Sequence, residues 1–142
     1  MARVGTSFQE LIDAAGGFVE KPAKVISGGP MMGVTMPNTN VPITKATTAI
    51  LCPTKEETCI PEESNCISCG RCVRACPMGL LPLYLDKFGR REDIDRFQKL
   101  NGLSCIECGC CAYICPAHLR IVNTIRNTKK IIKDNNKEKR VI

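Results

Sequence analysis

Eight of the eleven cysteines fall in two short runs with one spacing. Residues 66–77 read CISCGRCVRACP, and residues 105–116 read CIECGCCAYICP. In each run four thiols are separated by two, two and three residues, and a proline follows the last; the second run carries a fifth, Cys110. Whatever this chain folds into must bring eight thiols into two tight groups and accommodate the 28 residues (77–104) between them. A secreted disulfide scaffold does not fit. The cysteine count is odd, and the first thirty residues lack the basic start and apolar core of an export signal. Matched clusters of thiols in a reducing compartment point to bound metal. Composition agrees: four Phe, two Tyr and no Trp give a thin apolar core, and small domains offset that with metal or disulfides.

The spacing discriminates between metals. Zinc needs four ligands, usually as two separated C-x2-C pairs, so a third and fourth cysteine in one run and a following proline are superfluous for it. A cubic iron–sulfur cluster takes one thiolate at each of four irons. The run C-x2-C-x2-C-x3-C-P is the general pattern of bacterial two-cluster ferredoxins, where the fourth cysteine ligates the other cluster. Carried over, that rule assigns Cys66, Cys69, Cys72 and Cys115 to a first [4Fe-4S] cluster. Cys105, Cys108, Cys111 and Cys76 go to a second. Such crossing would couple metal binding to folding. Gly70 and Gly109 hold equivalent positions, as turn glycines or where backbone amides can point at cluster sulfurs. Cys110 is expected to face away from the cluster, and Cys52 and Cys59 to be bystanders. His118 reads as a surface or helix-start residue, not a ligand.

The fold class expected is α+β: a small, incomplete β-grasp-like module followed by an all-helical two-cluster domain. Residues 1–52 form the first module, 53–64 a polar, proline-bearing linker, and 65–142 the helical domain with a basic C-terminal helix. In the first module, Thr6 and Gln9 have the spacing of a capping box, Phe8, Leu11, Ile12 and Ala15 make one apolar stripe, and Gly16-Gly17 stops the helix. "AKVISGG" reads as a short buried strand, and "VPITKATTAIL" (41–51) as one or two more. In the second, Pro82 opens a helix, and Ile94, Phe97 and Leu100 share a face of another that ends at Asn101-Gly102. A last helix uses Ile121, Ile125 and Ile132.

The formal charge of +6 is concentrated at the C-terminus. Residues 126–140 carry seven Lys or Arg and two acids. Each cubane with four thiolates adds about −2 when oxidised. The body is then acidic and the tail basic, which disfavours nucleic acid and suggests an anionic partner or a membrane surface, unless the run is only a solvated helix end. No apolar run approaches the length of a membrane span.

The double motif, the "ACPMGLLP" continuation, "ISGGPMMG" and "VPITKATTAIL" together resemble the C subunit of the Rnf-type electron transport complex. The "SGGPMMG" stretch, Ser27 to Gly33, narrows the resemblance to that family. The resemblance implies electron transfer through two [4Fe-4S] clusters in a membrane-associated ferredoxin–NAD oxidoreductase coupled to ion translocation. It implies other subunits as partners and a cytoplasmic place peripheral to the membrane. The family's glycine-rich flavin and NADH domain has no counterpart here, and neither has the hairpin that normally opens a β-grasp. The expectation is a C-terminal part with no flavin or NAD site and no catalytic residue, inactive toward NADH alone. Two other readings compete. One is a free-standing dicluster ferredoxin or a linker protein of another redox complex. The other is a ligand-binding module using the "SGGPMMG" loop, in which Met31 and Met32 are expected to pack or to dock against the missing domain.

Overall fold

The computed structural model describes residues 2–58 and 61–138, apart from the side chain of Glu138. The chain forms two compact units, residues 1–60 and 61–142. Among the described residues the architecture is α+β: one three-stranded antiparallel sheet and helices.

The first unit opens with α1 (Phe8–Ala14). Its cap is Ser7, whose side chain accepts from the Glu10 amide at 3.2 Å. The expected Thr6–Gln9 box does not form. The Thr6 hydroxyl donates to the Arg3 carbonyl at 2.8 Å, and Gln9 is engaged by Asp13 and Thr39. Capping one residue later lets Phe8 and Ile12 turn inward, while Ala15 of the expected stripe stays exposed. The Gly17 amide closes the helix on the Ile12 carbonyl at 2.9 Å.

The sheet runs β2 (Val34–Met36), β1 (Val25–Ser27), β3 (Ile50–Leu51). Val25 faces Met36 across one ladder, and Ile26 faces Leu51 across the other. The stretch 41–51 thus contributes far less strand than its β-branched composition suggests: two paired residues, and a lone bridge between Pro42 and Ser7. Pro42 cannot donate to a ladder. Thr44 and Thr47 turn the chain on itself, since the Thr44 amide donates to the Thr47 hydroxyl and the Ala46 amide to the Thr44 hydroxyl. β2, with only three residues and two of them exposed, had no periodic signal to announce it.

The glycine-rich stretch is the connection between β1 and β2. A Cβ on Gly33 would stand 2.5 Å from both the Gly29 carbonyl oxygen and Ile26 Cγ2, so backbone packing requires glycine there. Met31 and Met32, expected to pack, are 45% and 55% exposed at the loop tip. The unit's core is Phe8, Ile12 and Val25, with Met36, Ile43, Ile50 and Cys52 partly buried around it.

In the second unit the regular elements described are all helical: α2 (Arg71–Arg74), α3 (Pro82–Arg90), α4 (Ile94–Lys99), a 3-10 turn at Gly102–Ser104, α5 (Cys110–Tyr113) and α6 (Ile121–Glu138). Pro82 sits in the first turn of α3. Asp93 caps α4 by accepting from the Arg96 amide, and Asn101, at φ 55°, ends it. α3 packs along α6, and Gly89 permits the close approach, because a Cβ there would lie 2.7 Å from Thr128 Oγ1. Leu85, Phe97, Ile121, Ile125 and Ile132 fill the space between the helices. Glu63 and Ser64 fall in the expected linker yet are bonded into this unit. The Ser64 amide donates to the Ala117 carbonyl, and Glu63 accepts from the Arg120 amide and pairs with Arg90. No described helix is long and apolar enough to cross a membrane.

Candidate metal centres

The two cysteine runs adopt the same backbone, with an offset of 39 residues. Ser68 and Glu107 both have positive φ, at 53° and 57°. Gly70 and Gly109 follow at 70° and 89°, in the left-handed region where glycine is at ease, and each opens a four-residue helix (α2, α5). Gly79 and His118 then take positive φ at matching positions, before α3 and α6 begin. His118 is exposed at the approach to α6 and lines neither cavity described below. The amides of Ser68 and Glu107 each lie 3.4 Å from the sulfur of the first cysteine in their run, Cys66 and Cys105.

α2 packs on α5, and α3 packs on α6, so the two halves face each other. Two cavities lie between them, each with about 350 Å³ of non-atom space partly open to solvent. The first is lined by Cys66, Cys69, Cys72 and Cys115 with Leu83, Leu119 and Ile121. The second is lined by Cys105, Cys108, Cys111 and Cys76 with Leu85, Val122 and Ile125. Each cavity thus meets three thiols of one run and the last thiol of the other. α3 and α6 contribute apolar walls to both.

Among the described residues, no three His, Cys, Asp or Glu side chains close around a single ion. Four thiols line each of the two open cavities instead. Burial pushes the Cys72 thiol up, and the neighbouring Cys115 pushes it further. Burial, with Cys105 and Cys108 adding repulsion, drives Cys111 to about 12. Burial also raises Cys105, against the Glu107 amide and the Lys129 ammonium, which pull it down. Thiolates gathered in these apolar cavities therefore require a strongly cationic partner, and an iron–sulfur core supplies one. The residues present fit the group: four soft thiolates for each cavity, small residues beside them and an apolar wall behind.

The ten described cysteines are free thiols, and Cys59 lies outside the described residues. Cys52 packs at the edge of the first unit's core. Cys110 lines neither cavity, in line with its expected place away from the cluster, and the neighbouring Cys108 thiol pushes its pKa up. Sequence reasoning missed a charged group at the second cavity. Lys129 donates to the Cys105 carbonyl at 2.8 Å and to Glu107 at 2.7 Å, and Glu107 also pairs with Arg126.

Comparison with known proteins bears on the same residues. The 4Fe-4S dicluster domain family matches residues 65–119, and the SLBB domain family matches residues 2–35. The chain is 52% identical over 130 residues, 92% of its length, to the C subunit of the Na+-translocating ferredoxin:NAD+ oxidoreductase complex of Acetobacterium woodii. This chain is a relative of that C subunit. It is 48% identical over 92 residues to the C subunit of the proton-translocating ferredoxin:NAD+ oxidoreductase complex of Clostridium ljungdahlii. It is 45% identical over 101 residues to the C subunit of the ion-translocating oxidoreductase complex of Yersinia pestis. The matches take in 92%, 65% and 70% of this chain but only 29%, 20% and 16% of those relatives. The dicluster domain match gives two [4Fe-4S] clusters as the cofactors of the second unit.

Proposed function

We propose that this chain carries electrons through two [4Fe-4S] clusters within an ion-translocating ferredoxin:NAD+ oxidoreductase complex. Cys66, Cys69, Cys72 and Cys115 would hold the first cluster, and Cys105, Cys108, Cys111 and Cys76 the second. The observation that carries the reading is the composition of the two cavities, each lined by three thiols of one run and the fourth of the other. The clusters supply one-electron redox chemistry. The chain's own part is to fix eight thiolates on opposed loops, to back them with Leu83, Leu85, Val122 and Ile125, and to leave one side near solvent. Cys66 and Cys69 of the first site are exposed, whereas Cys76, Cys105 and Cys108 of the second are half-buried and Cys111 is buried, so the first site offers the readier contact for a redox partner.

The relatives' names, each that of a C subunit of a complex, support other subunits as the partners. We place the chain at the periphery of the membrane, on its cytoplasmic side. Residues 1–52 act as a β-grasp-like module related to the SLBB domain, and 65–142 as the electron-transferring domain, to which Glu63 and Ser64 at the end of the 53–64 linker are bonded.

The test is an anaerobic preparation in which iron and sulfide are counted per chain, followed by EPR of the dithionite-reduced sample. Eight irons and eight sulfides, with signals split by two interacting S = 1/2 centres, are expected for two cubanes. Zinc in place of iron, or a single centre, would overturn the crossed arrangement.

A further inference from the structure

The two sites share ligand number and backbone geometry but not the charge beside them. At the second site Lys129 is a counterpart, 39 residues on, of Arg90. The two cations go to different places. Arg90 is drawn to Asp86 at 2.9 Å and Glu63 at 3.1 Å, and is 44% exposed. Lys129 reaches across to the second cysteine loop, donating to the carbonyl of Cys105, and its side chain is only 13% exposed. Sequence differences explain the choice. The first loop has Ser68 where the second has Glu107, so it offers no carboxylate to draw a cation in. α3 has Asp86 where α6 has Ile125, so Arg90 has a nearer anion on its own helix. Glu107, in turn, is shared between Lys129 and Arg126, so this corner holds two cations to one anion.

We propose, resting on the two-cluster reading, that Lys129 is a positioning residue that sets the reduction potential of the second site above that of the first. A cluster gains a negative charge on reduction, and net charge, hydrogen bonds and exposure tune its potential. A largely buried ammonium at a ligand's carbonyl favours the reduced state and is only weakly screened by salt. Glu107 holds the ammonium there and partly offsets it. A single electron on the chain then rests at the second site, the one whose thiols are less exposed. No bond is made and no proton moves; the residue changes only the relative stability of two oxidation states.

Redox titration of the iron-loaded chain, followed by EPR, tests this. Lys129→Met should lower one of the two midpoints by at least a tenfold change in the oxidised-to-reduced ratio, about 59 mV for one electron, and leave the other in place. Lys129→Arg should restore it. Glu107→Gln should move the same midpoint upward, and this decides the matter if Lys129→Met fails to assemble its iron. Arg90→Met, at the equivalent place on the first half, should move neither midpoint comparably. Unchanged midpoints with eight irons retained, or equal shifts of both, would overturn the role of Lys129. Absence of iron from the parent chain would instead overturn the two-cluster reading itself.

Discussion

The two units of this chain solve the problem of small size differently. The first, residues 1–60, has three buried apolar side chains among its described residues, Phe8, Ile12 and Val25, and relies on them and on short sheet ladders. The second has a larger buried cluster, yet two of its members, Cys111 and Cys115, are thiols facing the cavities. Every ion pair among the described residues also lies in the second unit. One unit is thus held by ordinary packing. The other is built around sites whose buried thiols resist ionising until metal arrives, so its folding and its loading should be one event. Two units in one chain need not share a source of stability, and each can be removed separately.

The largest effect should come from Cys76→Ala. Crossed ligation predicts that this change, made in the first run, abolishes the EPR signal of the second site and about halves the bound iron, since each cubane holds four irons. The first unit should keep its thermal transition. Loss of the first site's signal instead would break the crossed assignment.

A smaller effect, confined to the other unit, is expected from Phe8→Ala. Truncating a fully buried Phe costs about 3–5 kcal/mol, more than a three-residue core of this kind can spare. Denaturation should show the first unit unfolded while iron content and EPR stay at parent values. A concerted loss of both would mean the units are not independently stable.

Acid should sharpen the contrast most gently. The Lys129 ammonium, bonded to Glu107, holds that carboxyl below the usual range, and the Arg120 amide does the same for Glu63. A lowered carboxylate stabilises the fold above its unfolded value, about 4.3, and that contribution is lost as pH falls through the lowered native value. The second unit's urea midpoint should therefore decline below about pH 4.3, less steeply in Glu63→Gln, while the first unit's stays flat. Both glutamates are near the surface, so the change is modest. An equal acid response of the two units would argue against the ion pairs as its source.

Much of this was legible before folding was considered. Helices over 82–90, 94–99 and 121–138 follow from Pro82, from an asparagine stop at 101 and from isoleucines at helical spacing, all signals carried within a few residues. The expected cap at Thr6 failed because Ser7 offers the same chemistry one position on, and tertiary burial of Phe8 and Ile12 chose between them. The one or two strands expected over 41–51 shrink to Ile50–Leu51 for a local reason: threonine hydroxyls at 44 and 47, residues that favour strands on average, here close a turn.

What the sequence determined by itself is the candidate ligand set, eight thiols at fixed short spacings, together with the glycines that let each loop turn left-handed. Covalent geometry makes those local properties. What only the tertiary structure decided is the environment of the thiols: which run lends its fourth cysteine to which cavity, and that Lys129, 24 residues after Cys105, reaches its carbonyl while Arg90 turns to Asp86. Those placements depend on how α3 packs along α6. Long flexible cations go to the best anion within reach, and reach is set by packing between distant segments, not by sequence neighbours.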